Sequence, residues 1–223
     1  MGLIFALIVI GILTYILSRQ NKSETIIQNN NSVLYKVLTI TTIGLAIVQA
    51  PLFYYYTYGL FALFVVIPYL IISLILTGII LTPLIKRKKV SSFHKYGSIS
   101  AVLGGAISLI FGSELIENID WELRLKQRNM IVEKALNVKI NDTKLKMNSF
   151  PPISNGGNEV FINYNPTGSI TVTFYIDRGF IDHYSAFIYT TDTSRIKEFE
   201  ARTKSEWNRT NKKMDENWYR ISE

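Results

Sequence analysis

Long uncharged runs fill the first half of this chain, and runs alternating apolar with polar residues fill its last third. Gly2 to Leu17, about Val33 to Tyr56, about Tyr58 to Ile85 and about Tyr96 to Ser113 are each apolar over much of a bilayer's depth. A spanning helix needs roughly 20 predominantly apolar residues, so the pattern predicts four transmembrane helices. Gly2 to Leu17 is the shortest of them. It has no basic region ahead of it, and its first charges, Arg19 and Lys22, come after it, which predicts a retained span and not a cleaved leader. Pro51, Pro68 and Pro83 fall inside or at the ends of these spans and predict kinks, because membrane helices tolerate proline where neighbours satisfy the freed carbonyl.

From Glu114 the period changes. Leu115, Ile119, Leu123, Ile131 and Ala135 recur on a four-residue row with Ile116, Val132 and Leu136 beside it, facing away from Glu117, Glu122, Lys126 and Lys134. That spacing predicts an amphipathic helix continuing the fourth span, with the apolar row turned inward. Pro151, Pro152, Gly156 and Gly157 then mark a loop. Glu159 to Tyr164 and Ser169 to Asp177 predict strands, joined by the turn Asn165-Pro166-Thr167-Gly168. In the second run Ile170, Val172, Phe174 and Ile176 share one face, as in a half-buried antiparallel strand. Tyr184 to Thr190 and Trp218 to Ile221 predict a third and a fourth strand, with a charged, partly helical excursion from about Ser194 to Glu216 between them. The expected fold class is a membrane all-α domain of four transmembrane helices over 1–113, then a small α+β domain over 114–223. The latter is an amphipathic helix plus a three- or four-stranded antiparallel meander.

Charge orients the spans. Before Glu114 there are eight basic residues and one acidic one, and from Glu114 onward sixteen of each, so the net charge of +7 resides in the membrane half. The eight are Arg19, Lys22 and Lys36, then Lys86, Arg87, Lys88, Lys89 and Lys95. Loops rich in Lys and Arg stay cytoplasmic. The N-terminus, the turn Tyr54-Tyr55-Tyr56-Thr57-Tyr58-Gly59 and the final domain are then expected outside the cytoplasm of a multi-pass cell-membrane protein. The tyrosines suit the headgroup level, with rings in the acyl region and hydroxyls wet.

Few residues suggest chemistry. A neutral tail gives no net basic field for a phosphate backbone, so nucleic acid is not an expected partner. The absence of cysteine removes disulfides, thiol nucleophiles and thiolate metal sites. His94 and His183 stand apart, and Asp182-His183 with Ser185 is not a triad by adjacency, since strand neighbours point to opposite faces. Asp177, Asp182, Asp192 and Glu159 lack the alternating spacing of a calcium loop. No enzymatic activity, cofactor or metal is expected. Ion or proton transport is not expected either, because no ionisable residue sits centrally in a span.

Two features suggest contact surfaces. Ser100, Gly104, Ser108 and Gly112 place small side chains in one row on the fourth span, which lets another helix approach closely, whether within the bundle or in a dimer. Phe161, Tyr175, Phe187, Tyr189, Trp218 and Tyr219 form the aromatic surface expected on the sheet, either as a binding face or packed on the helix. Phe174-Tyr175-Ile176-Asp177-Arg178-Gly179, Tyr189-Thr190-Thr191-Asp192 and Asn217-Trp218-Tyr219 resemble a pattern in small uncharacterised bacterial proteins of the aromatic-x-x-Arg-Gly, Tyr-Ser-Ser-Asp, Trp-Tyr type. The resemblance covers the last third of the chain and implies a domain type without an activity. The expected function is a non-catalytic multi-pass protein displaying an extracytoplasmic interaction or sensing domain at the cell envelope. The alternative is an accessory subunit of a membrane transporter or enzyme complex. Expected partners are the lipid bilayer and a protein at the envelope or in the membrane.

Overall fold

The computed structural model describes residues 31–86, 88, 90–137, 143–179, 183–205 and 210–223. In chain order the elements are α1 (Asn31–Tyr56), α2 (Phe61–Ile85), α3 (Ser92–Asn137), β1 (Lys144–Lys146), β2 (Glu159–Tyr164), β3 (Ile170–Arg178), β4 (Tyr184–Thr190), α4 (Thr193–Thr203), β5 (Lys212–Asp215) and β6 (Trp218–Ser222). Among the described residues three helices are long and apolar enough to cross a membrane: the Val33–Tyr56 part of α1, α2 and α3. The predicted span Gly2 to Leu17 lies outside the described residues. The chain divides into two compact units. Among the described residues, one takes 31–53 with Val65–Ile116; the other takes Tyr54–Phe64 with the described part of Glu117–Glu223. On α3 the units divide between Ile116 and Glu117, and the tyrosine turn belongs with the C-terminal unit.

In the first unit, helices meet where side chains are small. A Cβ on Gly97 would lie 2.6 Å from the Thr39 methyl, and one on Gly112 2.5 Å from Ala50 Cβ, while Gly104 and Gly105 face Ala46 at ordinary contact distance. Backbone approach of this kind packs helices where lipid offers no hydrophobic drive between them. Of the small-residue row, Gly104 and Gly112 therefore pack on α1 within the chain, Ser108 lies beside them half-buried, and Ser100 is exposed. Polar ties also join the helices. Gln49 Nε2 donates to Gly105 O at 3.4 Å, and the Tyr69 hydroxyl donates to Leu45 O. His94, fully enclosed, sets Nδ1 3.0 Å from Thr39 Oγ1 and Nε2 2.8 Å from Ile80 O, so one imidazole joins all three helices. Ile47, Phe64, Leu74 and Ile75 point outward, as lipid-facing residues do.

The second unit is a six-stranded antiparallel sheet in the order β1-β2-β3-β4-β6-β5. Six strands replace the expected three or four. The two extra ones, β1 and β5, are the sheet's edges. Both are short, and exposed Lys144, Lys146, Lys212 and Lys213 blunt them against pairing with another chain. Alternation sorts the sheet's side chains. Val160, Ile162, Val172, Phe174, Phe187 and Trp218 share the face packed on the later part of α3. There Trp121 meets Phe187 at 4.8 Å between ring centres and Trp218 at 5.4 Å, and Trp218 Nε1 donates to Asn129 Oδ1 at 3.1 Å. On the opposite face Ala186, Ile188, Tyr219 and Ile221 pack on Phe199 of α4. Each large side chain buried this way contributes roughly 1.5–3 kcal/mol.

The predicted inward row on α3 holds only over its C-terminal end. Leu115, Ile119 and Leu123 are exposed, Leu123 by 78%, and the buried positions on this stretch of the helix include Asp120, Trp121 and Arg128. Only Ile131, Val132 and Ala135 of the predicted set are buried. The exposed row continues backwards at the same spacing through Phe111, Ile107 and Leu103. The row therefore lies outside the core, and an exposed apolar stripe of this kind is compatible with a lipid environment.

Candidate functional site

A cavity of about 260 Å³ opens on the sheet face opposite α3. Period-two alternation on β2, β3 and β4 turns Asn163, Thr171, Thr173, Tyr175 and Ile188 into it, and α4 adds Arg195 and Phe199. Tyr184 stands edge-on to Tyr175, ring centres 5.5 Å apart at 80°. Thr171 Oγ1 lies 2.9 Å from Thr190 Oγ1, whereas Asn163, Thr173 and the Tyr175 hydroxyl have no hydrogen-bonding partner among the described residues. The floor is Ile188 and Phe199; the walls are hydroxyls, an amide and phenol rings.

The charges bordering the cavity are already engaged. Asp192 caps α4, its Oδ1 accepting from Ser194 N at 2.9 Å and Ser194 Oγ at 2.6 Å, and its Oδ2 accepting from Asn165 Nδ2. These Ser194 hydrogen bonds hold the Asp192 carboxyl below its ordinary value. Arg195 pairs with Glu198 at 2.9 Å. Burial, and then the Glu223 charge, push the Tyr184 phenol up to about 12. A carboxyl depressed by folding contributes stability that is present above its unfolded pKa, about 3.9, and is lost as pH falls through the folded value. Asp192→Asn should therefore flatten the acid limb of stability below about pH 4, read as helical circular dichroism against pH; an unchanged limb would remove the cap from that role.

A second polar centre lies under the other face. Asp120 and Arg128, 3% and 1% exposed, form an ion pair on α3 in which Arg128 Nη1 also donates to Asp120 O at 3.1 Å. The Tyr55 hydroxyl donates to Asp120 Oδ1 at 2.8 Å and the Tyr54 hydroxyl to Oδ2 at 3.4 Å. The Arg128 guanidinium lies 4.6 Å from the Phe187 ring centre. Arg124 sits 3.4 Å from Asp120 and donates to Pro151 O and Pro152 O, both at 2.6 Å, tying the loop before β2 to the helix.

A β-bulge between Tyr175 and Asp177 turns the end of β3. It lays Arg178 across Tyr175 and Phe161, 4.2 and 4.8 Å from their ring centres. Gly156, at φ 76°, must be glycine here: a Cβ would lie 2.7 Å from Arg178 Cδ. Next to it Asn155 Nδ2 donates to Tyr54 O, Thr57 O and Ile176 O at 3.1, 2.9 and 3.0 Å, and Gly59 N donates to Arg178 O. The aromatic-x-x-Arg-Gly run is thus where the tyrosine turn is stitched to the sheet.

The six aromatics expected on one face fall on two. Phe161, Tyr175 and Tyr219 share the cavity side, and Phe187, Tyr189 and Trp218 the α3 side. Phe187, Trp218 and Tyr219 are core residues and offer no surface. Only Tyr175 borders the cavity. Sequence reading passed over Asn163, Thr171 and Thr173, whose alternation was visible but whose neutral side chains carry no signature. His183, expected in the turn before the third strand, sets Nδ1 3.2 Å from Glu223 O. The chain matches no protein-family model, no curated protein and no solved structure.

Proposed function

We propose that the chain is a multi-pass membrane protein holding its sheet outside the cytoplasm as a non-catalytic binding or sensing module. One observation carries the orientation: the connection between α1 and α2 is hydrogen-bonded into the sheet through Asn155, Gly59 and Arg178. Two helices that cross a bilayer leave their connection on one side of it, so the sheet takes the same side. The opposite ends of α2 and α3 carry Lys86, Arg87, Lys88, Lys89 and Lys95, the run that stays cytoplasmic. The small-residue row, on which an accessory-subunit role would rest, is taken up against α1 at Gly104 and Gly112. A cavity with unpartnered polar groups supports binding as the module's task.

The chain has no cysteine, so single substitutions report sidedness cleanly. Thr167→Cys, in the exposed turn after β2, should react with a membrane-impermeant thiol reagent on intact cells, and Ser92→Cys only after lysis. The reverse labelling would place the sheet in the cytoplasm and overturn the orientation.

A further inference from the structure

We infer that the sheet cavity is a binding site for a neutral saccharide. The inference deepens the binding-module reading and rests on it. The cavity combines two properties that few other ligand classes need together. Tyr184, and the part of the Tyr175 ring that Arg178 leaves uncovered, offer a surface for the apolar C–H face of a pyranose. Asn163, Thr171 and Thr173 offer an amide and two hydroxyls that donate and accept, matching a ligand whose hydroxyls do the same.

The electrostatics favour a ligand without charge. Asp192 and Arg195 bring one charge of each sign to the rim, and each already has a partner in Ser194 and Glu198. The α4 N-terminus, where an anion would gain most, is filled by the Asp192 carboxylate itself. An extended peptide adding as a strand is disfavoured too, because both sheet edges are short and lysine-guarded. What remains is a compact, uncharged, hydroxyl-rich ligand seated on the sheet face.

The test uses the full chain in lipid nanodiscs, since glycoside detergents would compete for the site. The probes for calorimetric titration are a β-1,4-linked N-acetylglucosamine trimer and maltotriose, with inorganic phosphate and an acidic hexapeptide as charged comparisons. One of the saccharides should bind and neither charged probe should. Thr173→Val, which keeps shape and strand propensity while removing the hydroxyl, should weaken binding by about fivefold. Asn163→Trp, at an exposed strand position, should block it with the melting temperature unchanged. Should that variant misfold, Thr173→Val decides alone. Binding of neither saccharide, binding indifferent to Thr173→Val, or binding of phosphate or peptide in place of sugar would each overturn the assignment. Nanodiscs expose both faces of the bilayer, so a negative result overturns the ligand class and leaves the orientation to the labelling experiment.

Discussion

Asp120→Ala should destabilise the sheet-bearing unit by about 3–5 kcal/mol, the cost of leaving a buried partner charge uncompensated. Arg128 is 1% exposed and would lose its only carboxylate among the described residues, and its Nε already lacks a hydrogen-bond acceptor there. The Tyr54 and Tyr55 hydroxyls would lose their acceptor in the same step. The ion pair itself is not the source of the effect. Replacing both members with apolar residues of similar volume, Asp120→Leu with Arg128→Met, should recover most of the loss, because the desolvation penalty disappears with the charges. Trp121 and Trp218 lie in the same core and report its melting by fluorescence. A single variant within about 1 kcal/mol of the parent would show that water reaches the pair.

Gly112→Ala should weaken the helix bundle by about 1–3 kcal/mol, although alanine is the better helix former. The added Cβ would sit 2.5 Å from Ala50 Cβ and 3.3 Å from Ser108 Oγ, so α1 and α3 must part. Gly78→Ala is the matched comparison. Nothing lies within 4 Å of its Cβ position, and the same substitution there should leave the bundle unchanged or slightly firmer. Thermal unfolding in nanodiscs separates the two. Equal melting temperatures would mean that the seam at Gly112 has slack and that close approach does not hold these helices.

The sequence made the repeating parts of the fold legible and hid those that depend on what faces them. Four strands followed from alternation, with bounds within a residue or two: β2, β3, β4 and β6. β1 and β5 escaped because Lys144-Leu145-Lys146 and Lys212-Lys213-Met214-Asp215 carry no two-residue apolar rhythm; they pair as edges through their backbones. The α3 stripe misled for a different reason. Apolar periodicity shows that a helix has two sides, but lipid and protein core both accept leucine, and the side packed on the sheet was instead the one with Asp120, Trp121 and Arg128. The small-residue row was legible as a packing face, and only the fold shows that α1 occupies it at Gly104 and Gly112. Of the cavity, the strand faces were legible. Its closure by α4 was not, because that depends on Phe199 folding back over Ile188 and Tyr219.

The stitching of the tyrosine turn to Asn155 sets an order of events during synthesis. Tyr54 and Thr57 are separated from Asn155 by 101 and 98 residues, so the turn is synthesised long before its partner exists. Contacts so distant in sequence form late. α1 and α2 are therefore made with their connection unsupported, and the sheet engages it only when the last third of the polypeptide arrives. A nascent chain stalled after α3 would present the Tyr54 and Thr57 carbonyls without Asn155, a state that quality-control proteases can distinguish from the finished molecule.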